Sequence, residues 1–213
     1  MCGRFTLTTP AELVAEAFGL DALPALAPRY NVAPTQEVAV VRSLPEGRRA
    51  IEAMRWGFRT GRGLTINARA ESAATRGAFR DALARRRCLL PADGFYEWKT
   101  EPGGRKTPYL VRLLEGGLFA LAGLWEPAPG DAGAASCVIL TTEPNEVVAR
   151  IHDRMPVVVG AADYGRWLDP SLRDSRALQP LLRPMAPERM TAHAVSALVN
   201  HAGNESPDCL LPA

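Results

Sequence analysis

Short apolar runs separated by turn-forming residues make up most of the chain. Runs of this length, rich in Val, Leu and aromatic residues, predict β-strands. The predicted strands cover residues 37–42, 50–56, 87–91, 95–99, 108–114, 118–124, 136–141, 157–159 and 191–198. Asp-Gly and Gly-Gly pairs stand between several of them, and such pairs are typical of tight turns. We therefore expect successive strands to pair antiparallel.

Helical patterns are concentrated towards the two ends of the chain. The segment Thr-Pro-Ala-Glu at 9–12 predicts a capping box, and Gly19 predicts the end of that helix. Further helices are predicted around residues 79–83 and over 145–151, 162–168 and 172–182, with loops at 21–34 and 57–63. This arrangement predicts an α+β fold: a single domain over 1–213 with a mainly antiparallel, barrel-like core and peripheral helices.

The composition limits the kind of partner. The 213 residues include 25 Lys and Arg against 23 Asp and Glu, a net charge of +2. This balance excludes a strongly basic protein and leaves room for a local basic groove. Only two of the basic residues, Lys99 and Lys106, are lysines. Because no apolar run reaches the roughly 18 residues of a membrane span and no export signal is visible, we expect a cytoplasmic protein without a membrane partner.

The cysteines do not show a metal-binding pattern. Cys2, Cys88, Cys137 and Cys209 form no Cys-x-x-Cys pair, and none has a histidine at ligand spacing. We therefore expect reduced thiols, no metal and no cofactor. Cys88 and Cys137 lie in apolar runs, which predicts that both belong to the core.

Cys2 is the first candidate for chemistry. Removal of Met1 would leave a cysteine with an α-amine and a thiol on neighbouring carbons, with ordinary pKa values of about 8 and about 8.5. An aldehyde can form a Schiff base with the amine, and the thiol can then close a thiazolidine. Alternatively, the thiol attacks an amide with the amine as its base. The structural alternative is a frayed terminus.

Glu97 is the second candidate, in the segment Phe-Tyr-Glu-Trp-Lys at 95–99. Strand alternation puts Phe95, Glu97 and Lys99 on one face and Tyr96 and Trp98 on the other. A carboxylate among apolar groups has a raised pKa and can act as an acid or a base. The alternative is an exposed strand face on which Glu97 pairs with Lys99.

His152 and Asn67 complete the candidate catalytic set. His152 lies in Ile-His-Asp-Arg-Met-Pro at 151–156, and an imidazole moves protons near neutral pH. The alternative is a histidine that ends a helix. Asn67 begins Asn-Ala-Arg-Ala-Glu, and its amide can both donate and accept hydrogen bonds; the alternative is a helix N-cap. Arg69 and Arg154, in the same two segments, suit phosphate oxygens.

Aromatic residues beside arginines are typical of single-strand binding. Tyr-Asn-Val-Ala-Pro at 30–34 and Trp-Gly-Phe at 56–58 have Arg29, Arg55, Arg59 and Arg62 as neighbours. The alternative is that both segments are ordinary core and turn residues.

Taken together, six short blocks resemble the SOS-response-associated peptidase family in content and order. They are Met-Cys-Gly-Arg-Phe at 1–5, Arg-Tyr-Asn-Val-Ala-Pro at 29–34, Trp-Gly at 56–57, Asn-Ala-Arg-Ala-Glu at 67–71, Asp-Gly-Phe-Tyr-Glu-Trp at 93–98 and Ile-His-Asp-Arg-Met-Pro at 151–156. Each block is weak alone, but six in order span nearly the whole chain and are specific together.

The resemblance implies a DNA-damage protein that captures abasic sites in single-stranded DNA as a thiazolidine crosslink. It implies that Cys2 is the nucleophile, that Asn67 positions the sugar, that Glu97 moves protons for ring closure and reversal, and that His152 is the acid and base for the sugar. Lyase activity and self-removal of Met1 are further expectations. We also expect a monomer that meets DNA at the nucleoid. The implied DNA-binding residues are Arg4, Asn31, Pro34, Trp56, Gly57, Arg69, Arg76 and Arg154.

Two segments depart from the family pattern. After Trp-Gly-Phe at 56–58 the family often continues with proline and a further tryptophan, whereas this chain has Arg-Thr-Gly-Arg-Gly at 59–63. We therefore expect a shorter or absent aromatic wedge against a DNA junction. An arginine that often contacts DNA is displaced, with Arg76 near it and Gly77 at its place.

Two other functions stay open. Glutamine amidotransferases of the N-terminal-nucleophile class also begin Met-Cys-Gly, and such an amidohydrolase would hydrolyse free glutamine. A plain single-stranded DNA-binding module would bind with a strong dependence on salt, and Cys2→Ala would leave that binding unchanged.

Overall fold

A computed structural model describes residues 2–61, 63–128 and 134–213. The strands are β1 (Arg4–Leu7), β2 (Arg29–Val32), β3 (Glu37–Ser43), β4 (Arg49–Trp56), β5 (Phe58–Thr60), β6 (Gly63–Thr65), β7 (Asn67–Arg69), β8 (Arg87–Ala92), β9 (Gly94–Thr100), β10 (Lys106–Leu113), β11 (Phe119–Glu126), β12 (Ser136–Thr142), β13 (Met155–Pro156), β14 (Val158–Val159) and β15 (Met190–Ala194). The α-helices are α1 (Ala11–Phe18), α2 (Ala70–Ala73), α3 (Gly77–Arg85), α4 (Glu146–Ala149), α5 (Tyr164–Leu168) and α6 (Ser175–Leu178). Short 3₁₀ helices cover Pro45–Gly47, Ala161–Asp163, Gln179–Leu182, Pro187–Arg189, Ala197–Asn200 and Pro207–Leu210.

Two sheets hold most of these strands. The first sheet has the order β15-β10-β9-β1-β2, with antiparallel neighbours. In the second, β4, β3, β8 and β11 lie side by side, and β12 pairs with both β11 and β4. These pairings close a ring of strands. The predicted α+β fold with a mainly antiparallel, barrel-like core is therefore confirmed.

Three strands of the ring, β8, β11 and β12, are buried on both faces over most of their length. One set of the ring's side chains, with Val41, Leu89 and Leu140, packs with the helices in a cluster that includes Trp167. The other set packs against the first sheet in a cluster that contains Cys2 and neighbouring aromatic side chains. Among the described residues, no helix is long and apolar enough to span a membrane.

Two short turns join strands that belong to different sheets. Strand β8 pairs with β3 and β11 in the ring, whereas β9, which begins directly after Asp93, pairs with β1 and β10 in the first sheet. The turn between β10 and β11 also changes sheet. The predicted antiparallel pairing across these two turns is wrong, because a bend at a sheet corner passes the chain to the other layer instead of folding it back. The pairing holds for β9 with β10 and for β11 with β12.

Asp93 lies in the turn between β8 and β9 and fixes this turn to β1 and the residues after it. Its carboxylate accepts the backbone N–H groups of Thr8 and Thr9 at 2.5 and 2.8 Å and their hydroxyls at 2.8 and 3.1 Å. The Thr6 hydroxyl also donates to it. The capping box is therefore wrong, because Thr9 donates to Asp93 and Pro10 is the N-cap of α1 without a side-chain bond.

The predicted end of α1 is confirmed, whereas the two predicted loops contain short strands. Gly19 ends α1 with a φ of 60°, as predicted. The predicted loop at 21–34 contains β2, which pairs with β1. The glycine-rich segment 57–63 contributes to the β5–β6 hairpin. Both predictions missed these strands because the strands are short and have no distinct apolar run. Pairing with a neighbouring strand stabilises them instead.

We expect Asp93→Ala to lower the free energy of unfolding by about 3 kcal/mol, because several hydrogen bonds to one charged acceptor are lost and their donors stay partly buried. Urea unfolding monitored by fluorescence would measure this. Asp21→Ala is the matched control, since the Asp21 side chain is 70% exposed. Equal stability of the two variants would contradict the structural importance of this corner.

Candidate active site

Cys2 is buried where the first sheet packs against the ring. Strand β1 runs antiparallel to β9 with Arg4 opposite Tyr96, so that the residues before Arg4 run alongside Glu97. The Cys2 side chain is fully buried, and its thiol donates to the Arg4 carbonyl oxygen at 3.9 Å. Burial raises the pKa of the Cys2 thiol, and the negative charge of Glu97 raises it further. The thiol is therefore protonated and needs a base to become a nucleophile.

Asn67 holds the main chain of Cys2 from the ring side. It begins β7, which pairs in parallel with β12 at Ile139. Its Nδ2 donates to the Cys2 carbonyl oxygen at 2.8 Å, whereas its buried Oδ1 accepts no hydrogen bond from the described residues. A buried acceptor without a donor is costly, so Oδ1 is suited to a donor on a bound molecule. The N-cap alternative is wrong, because Arg69 precedes α2 as its N-cap.

Glu97 is buried on β9 and faces the same cluster as Cys2. Its side chain is 2% exposed, and burial raises its pKa to about 7. Both protonation states are therefore populated near neutral pH, as general acid–base chemistry requires. The exposed-face alternative is wrong, since Lys99 Nζ lies 3.6 Å from a carboxylate oxygen of Glu101. The predicted alternation is confirmed, because Phe95 packs with Cys2 while Tyr96 belongs to a separate cluster.

His152 approaches Glu97 from the end of α4. Its backbone N–H donates to the Val148 carbonyl oxygen at 2.9 Å, as expected for a residue that ends a helix. Its Nδ1 accepts the Arg154 backbone N–H at 3.0 Å, which leaves the proton of the neutral ring on Nε2. Nε2 lies 4.0 Å from Glu97 Oε2. Burial lowers the pKa of His152, and the charge of Asp153 opposes that effect. The Nε2–H side of the neutral ring therefore faces the Glu97 carboxylate.

The four candidate catalytic residues come from four separate segments and lie together. Asn67 contacts the Cys2 main chain, the charge of Glu97 acts on the Cys2 thiol, and His152 lies beside Glu97. The site therefore combines a nucleophile, an amide that holds it, and two groups that can transfer protons near neutral pH.

Arg4 and Asn31 form a network beside Cys2. Arg4 Nη1 donates to Asn31 Oδ1 at 2.9 Å and to the Val199 carbonyl oxygen at 2.6 Å. Its guanidinium lies 5.9 Å from the ring centre of Trp98. Asn31 is buried, and its Nδ2 donates to three carbonyl oxygens in the segment 199–204. These contacts tie the C-terminal segment to β1 and β2.

Trp56 lies beneath the loop that carries Pro34. It is fully buried, its Nε1 donates to the Ile66 carbonyl oxygen at 2.9 Å, and its ring centre is 5.4 Å from that of Phe5. Its carbonyl oxygen accepts the Thr35 N–H at 2.9 Å, and Pro34 is half-buried. Trp56 therefore supports this loop from inside and presents no ring face at the surface.

Gly57 allows a close approach directly after Trp56. Its φ is 132°, and a Cβ at this position would lie 2.7 Å from Leu64 Cδ1. Only glycine fits both conditions without strain. Gly57 therefore allows the β5–β6 hairpin to fold closely against β4.

The remaining predicted arginines differ in exposure. Arg69 and Arg76 are exposed. Arg154 is half-buried, because it donates to both carboxylate oxygens of Glu71 at 2.7 and 2.9 Å and to the Thr141 carbonyl oxygen at 2.7 Å. Hydrogen bonding from Arg154 lowers the pKa of Glu71. The sequence predicts no function for Glu71 or Thr141, although Glu71 ends one of the recognised blocks. Met1 and Arg62 lie outside the described residues.

Comparisons with known proteins show the family of this chain. The family model described as SOS response associated peptidase (SRAP) matches residues 1–202. The abasic site processing protein YoqW of Bacillus subtilis (strain 168) is 39% identical over 223 residues, which cover 99% of each chain. The abasic site processing protein HMCES of Gallus gallus is 31% identical over 171 residues, 70% of this chain and 50% of that one.

A solved structure gives independent support for the fold. The crystal structure of a protein from Bacteroides thetaiotaomicron superposes with a TM-score of 0.85 over 100% of both chains at 23% identity. At this identity the match concerns the fold alone. Because the family model covers nearly the whole sequence and the Bacillus relative matches end to end, the chain belongs to the SOS response associated peptidase family.

Proposed function

We propose that this protein processes abasic sites by joining Cys2 covalently to the ring-opened sugar aldehyde in single-stranded DNA. The observation that carries the proposal is the burial of Cys2 between Asn67, which holds its carbonyl oxygen, and Glu97, whose pKa is about 7. The names of the relatives, abasic site processing proteins, support the substrate.

The reaction begins with hydrolysis of the bond between Met1 and Cys2, which consumes one water and frees the α-amine. The amine adds to the aldehyde carbon, and loss of water gives an imine. The thiol sulfur then bonds to the imine carbon while its proton passes to the nitrogen. The product is a thiazolidine, and the condensation releases one water overall.

Glu97 and His152 move the protons in this sequence. His152 takes the proton of the sugar's anomeric hydroxyl and passes it to the ring oxygen, which opens the ring. In its protonated form it then supplies the proton that the departing hydroxyl needs. Glu97 accepts the thiol proton in its ionised form and returns one in its neutral form, which also allows the ring to reopen. Together with a bound water, the same pair assists removal of Met1.

A lyase step competes with ring closure at the imine. The imine acidifies the neighbouring C2′–H bond, and removal of that proton by Glu97 or His152 expels the phosphate from C3′. Addition of the thiol removes the imine and suppresses this cleavage. The proposed thiazolidine thus shields the abasic site from strand scission.

DNA would reach Cys2 past the predicted contact residues. The exposed guanidinium groups of Arg69 and Arg76 suit phosphate oxygens. The other predicted contact residues lie in hydrogen-bonded or packed positions, from which they shape the surface along the DNA. They are Arg4, Asn31, Pro34, Trp56, Gly57 and Arg154. We propose that a monomer acts this way at the nucleoid without a cofactor.

Intact mass tests the proposal. The purified protein is weighed before and after mixing with single-stranded DNA that carries one abasic site. We expect a chain without Met1, followed by a mass increase equal to the oligonucleotide less one water. Unmodified protein that lacks Met1 would overturn aldehyde capture, and hydrolysis of free glutamine would then establish the amidohydrolase instead.

We expect Asn67→Ala to slow crosslinking about tenfold, because Cys2 loses the donor that holds its carbonyl oxygen and the sugar loses the acceptor Oδ1. Single-turnover crosslinking between pH 6 and 8, followed on denaturing gels, measures this. Asn204→Ala is the control, since Asn204 carries an amide away from Cys2. Wild-type rates for Asn67→Ala over the whole pH range would refute the assignment.

A further inference from the structure

A cavity of about 320 Å³ lies between α4 and the first sheet. Lys99 and Tyr109 line it from the sheet, and Glu146, Arg150 and Ile151 line it from α4 and the residues after it. We infer that this cavity binds one nucleotide next to the abasic sugar, with the base against Tyr109 and the phosphate between Lys99 and Arg150. The inference rests on the proposed function and adds a subsite to it.

The cavity lies next to the candidate active site. Tyr109 on β10 stands directly opposite Glu97 on β9, and directly opposite residues of antiparallel strands point to the same face. Lys99 lies two positions beyond Glu97 and therefore also on that face. On the opposite wall, Ile151 immediately precedes His152. Both walls of the cavity thus begin beside the proposed acid–base pair.

The lining combines the groups that hold a nucleotide. Tyr109 is half-buried and offers an aromatic surface, which stacks any base. Arg150 is exposed, and among the described residues no carboxylate lies within ion-pair distance of it. Lys99 makes only a long, partly exposed pair with Glu101 at 3.6 Å, a contact that a phosphate can replace at little cost.

Charge and size favour a single nucleotide. Lys99 lines the cavity, and Lys106 stands opposite Thr100 at the nearby end of β10. Besides burial, the positive charge of Lys106 acts on Glu97 and lowers its pKa. Glu146 opposes the local positive charge in part. The volume is at the lower end of the range for small-molecule sites, about 300 to 1,000 Å³, and so suits one residue of a strand.

The test separates binding from crosslinking. Three oligonucleotides carry a tetrahydrofuran abasic analogue, which has no aldehyde, with nucleotides on both sides, only on the 5′ side, or only on the 3′ side. We expect Tyr109→Ala to weaken binding about tenfold for the two oligonucleotides that fill the cavity, since stacking is lost, and to leave the third unchanged. Tyr109→Phe keeps the ring and should stay within about twofold of the wild type.

Salt dependence tests the phosphate contact. For the oligonucleotides that fill the cavity, Arg150→Ala should reduce the slope of log affinity against log salt by about 0.7, the value of one phosphate contact to a single strand. Glu146→Gln should strengthen binding of the same oligonucleotides about twofold, because a negative charge is removed.

Equal affinities of Tyr109→Ala and the wild type, or an equal loss for all three oligonucleotides, would overturn the subsite. Failure of the wild type to crosslink a true abasic site would instead overturn the proposed function. The analogue still reports on the cavity in that case, so the two failures are distinguishable.

Discussion

Cys2→Ala is expected to abolish the adduct with abasic DNA that survives denaturation. The variant keeps an α-amine once Met1 is removed, so the imine still forms and hydrolyses again. It lacks the sulfur that converts the imine into a stable ring. Denaturing gels without a reductant should therefore show no adduct, whereas borohydride, which reduces the imine to an amine, should restore a crosslinked band.

The control for this variant is another cysteine of the same apolar cluster. Cys137 is also fully buried, and burial raises the pKa of its thiol as it does for Cys2. Cys137→Ala removes a similar packing volume and should retain the adduct. A stable adduct on Cys2→Ala, or its loss in Cys137→Ala as well, would show that the Cys2 thiol is not the group that closes the ring.

The candidate site could be predicted from the sequence because its chemistry depends on residue type. A cysteine directly after Met1, a carboxylate between aromatic residues and a histidine in a polar block each indicate a reaction partner without reference to the fold. The alternation at 95–99 even placed Glu97 on the same face as Phe95, which packs with Cys2.

The contacts between these residues could not be predicted, because they join distant segments. The hydrogen bond from Asn67 to Cys2 depends on the parallel pairing of β7 with β12 and on the position of β1 beside β9. A local pattern reports which face a residue occupies and not which strand lies next to it.

The hydrogen bonds at the sheet corner and the ion pair of Arg154 also could not be predicted, because their partners are distant in the sequence. Asp93 looks like a turn residue in the sequence, yet it accepts hydrogen bonds from β1 and the residues after it where the chain changes sheet. Arg154 looks like a free phosphate ligand, but Glu71 from the start of α2 engages both of its terminal nitrogens.

Glu97→Gln is expected to slow crosslinking about a hundredfold, the effect typical of losing a general acid–base group. Glutamine has nearly the same shape and cannot accept or release the proton. In the wild type the rate should change across the Glu97 pKa of about 7. Single-turnover rates from pH 5.5 to 8.5 should show this inflection, and the variant should lack it. An unchanged inflection in the variant would assign it to another group.

The same substitution, Glu97→Gln, should slow the reaction but raise the free energy of unfolding at pH 8. The Glu97 pKa rises from its ordinary 4.5 in the unfolded chain to about 7 in the buried site, so folding takes up a proton between these pH values. The wild type should therefore lose about 3 kcal/mol of unfolding free energy from this group as the pH rises from 4.5 through 7. Glutamine stays neutral, so the variant should lack this loss and be the more stable protein at pH 8.

Urea unfolding of both proteins at pH 5 and pH 8 measures the difference. A variant that is both slow and less stable at pH 8 would indicate disrupted packing, whereas one that is slow and more stable shows that the buried charge is retained for reactivity at the expense of stability.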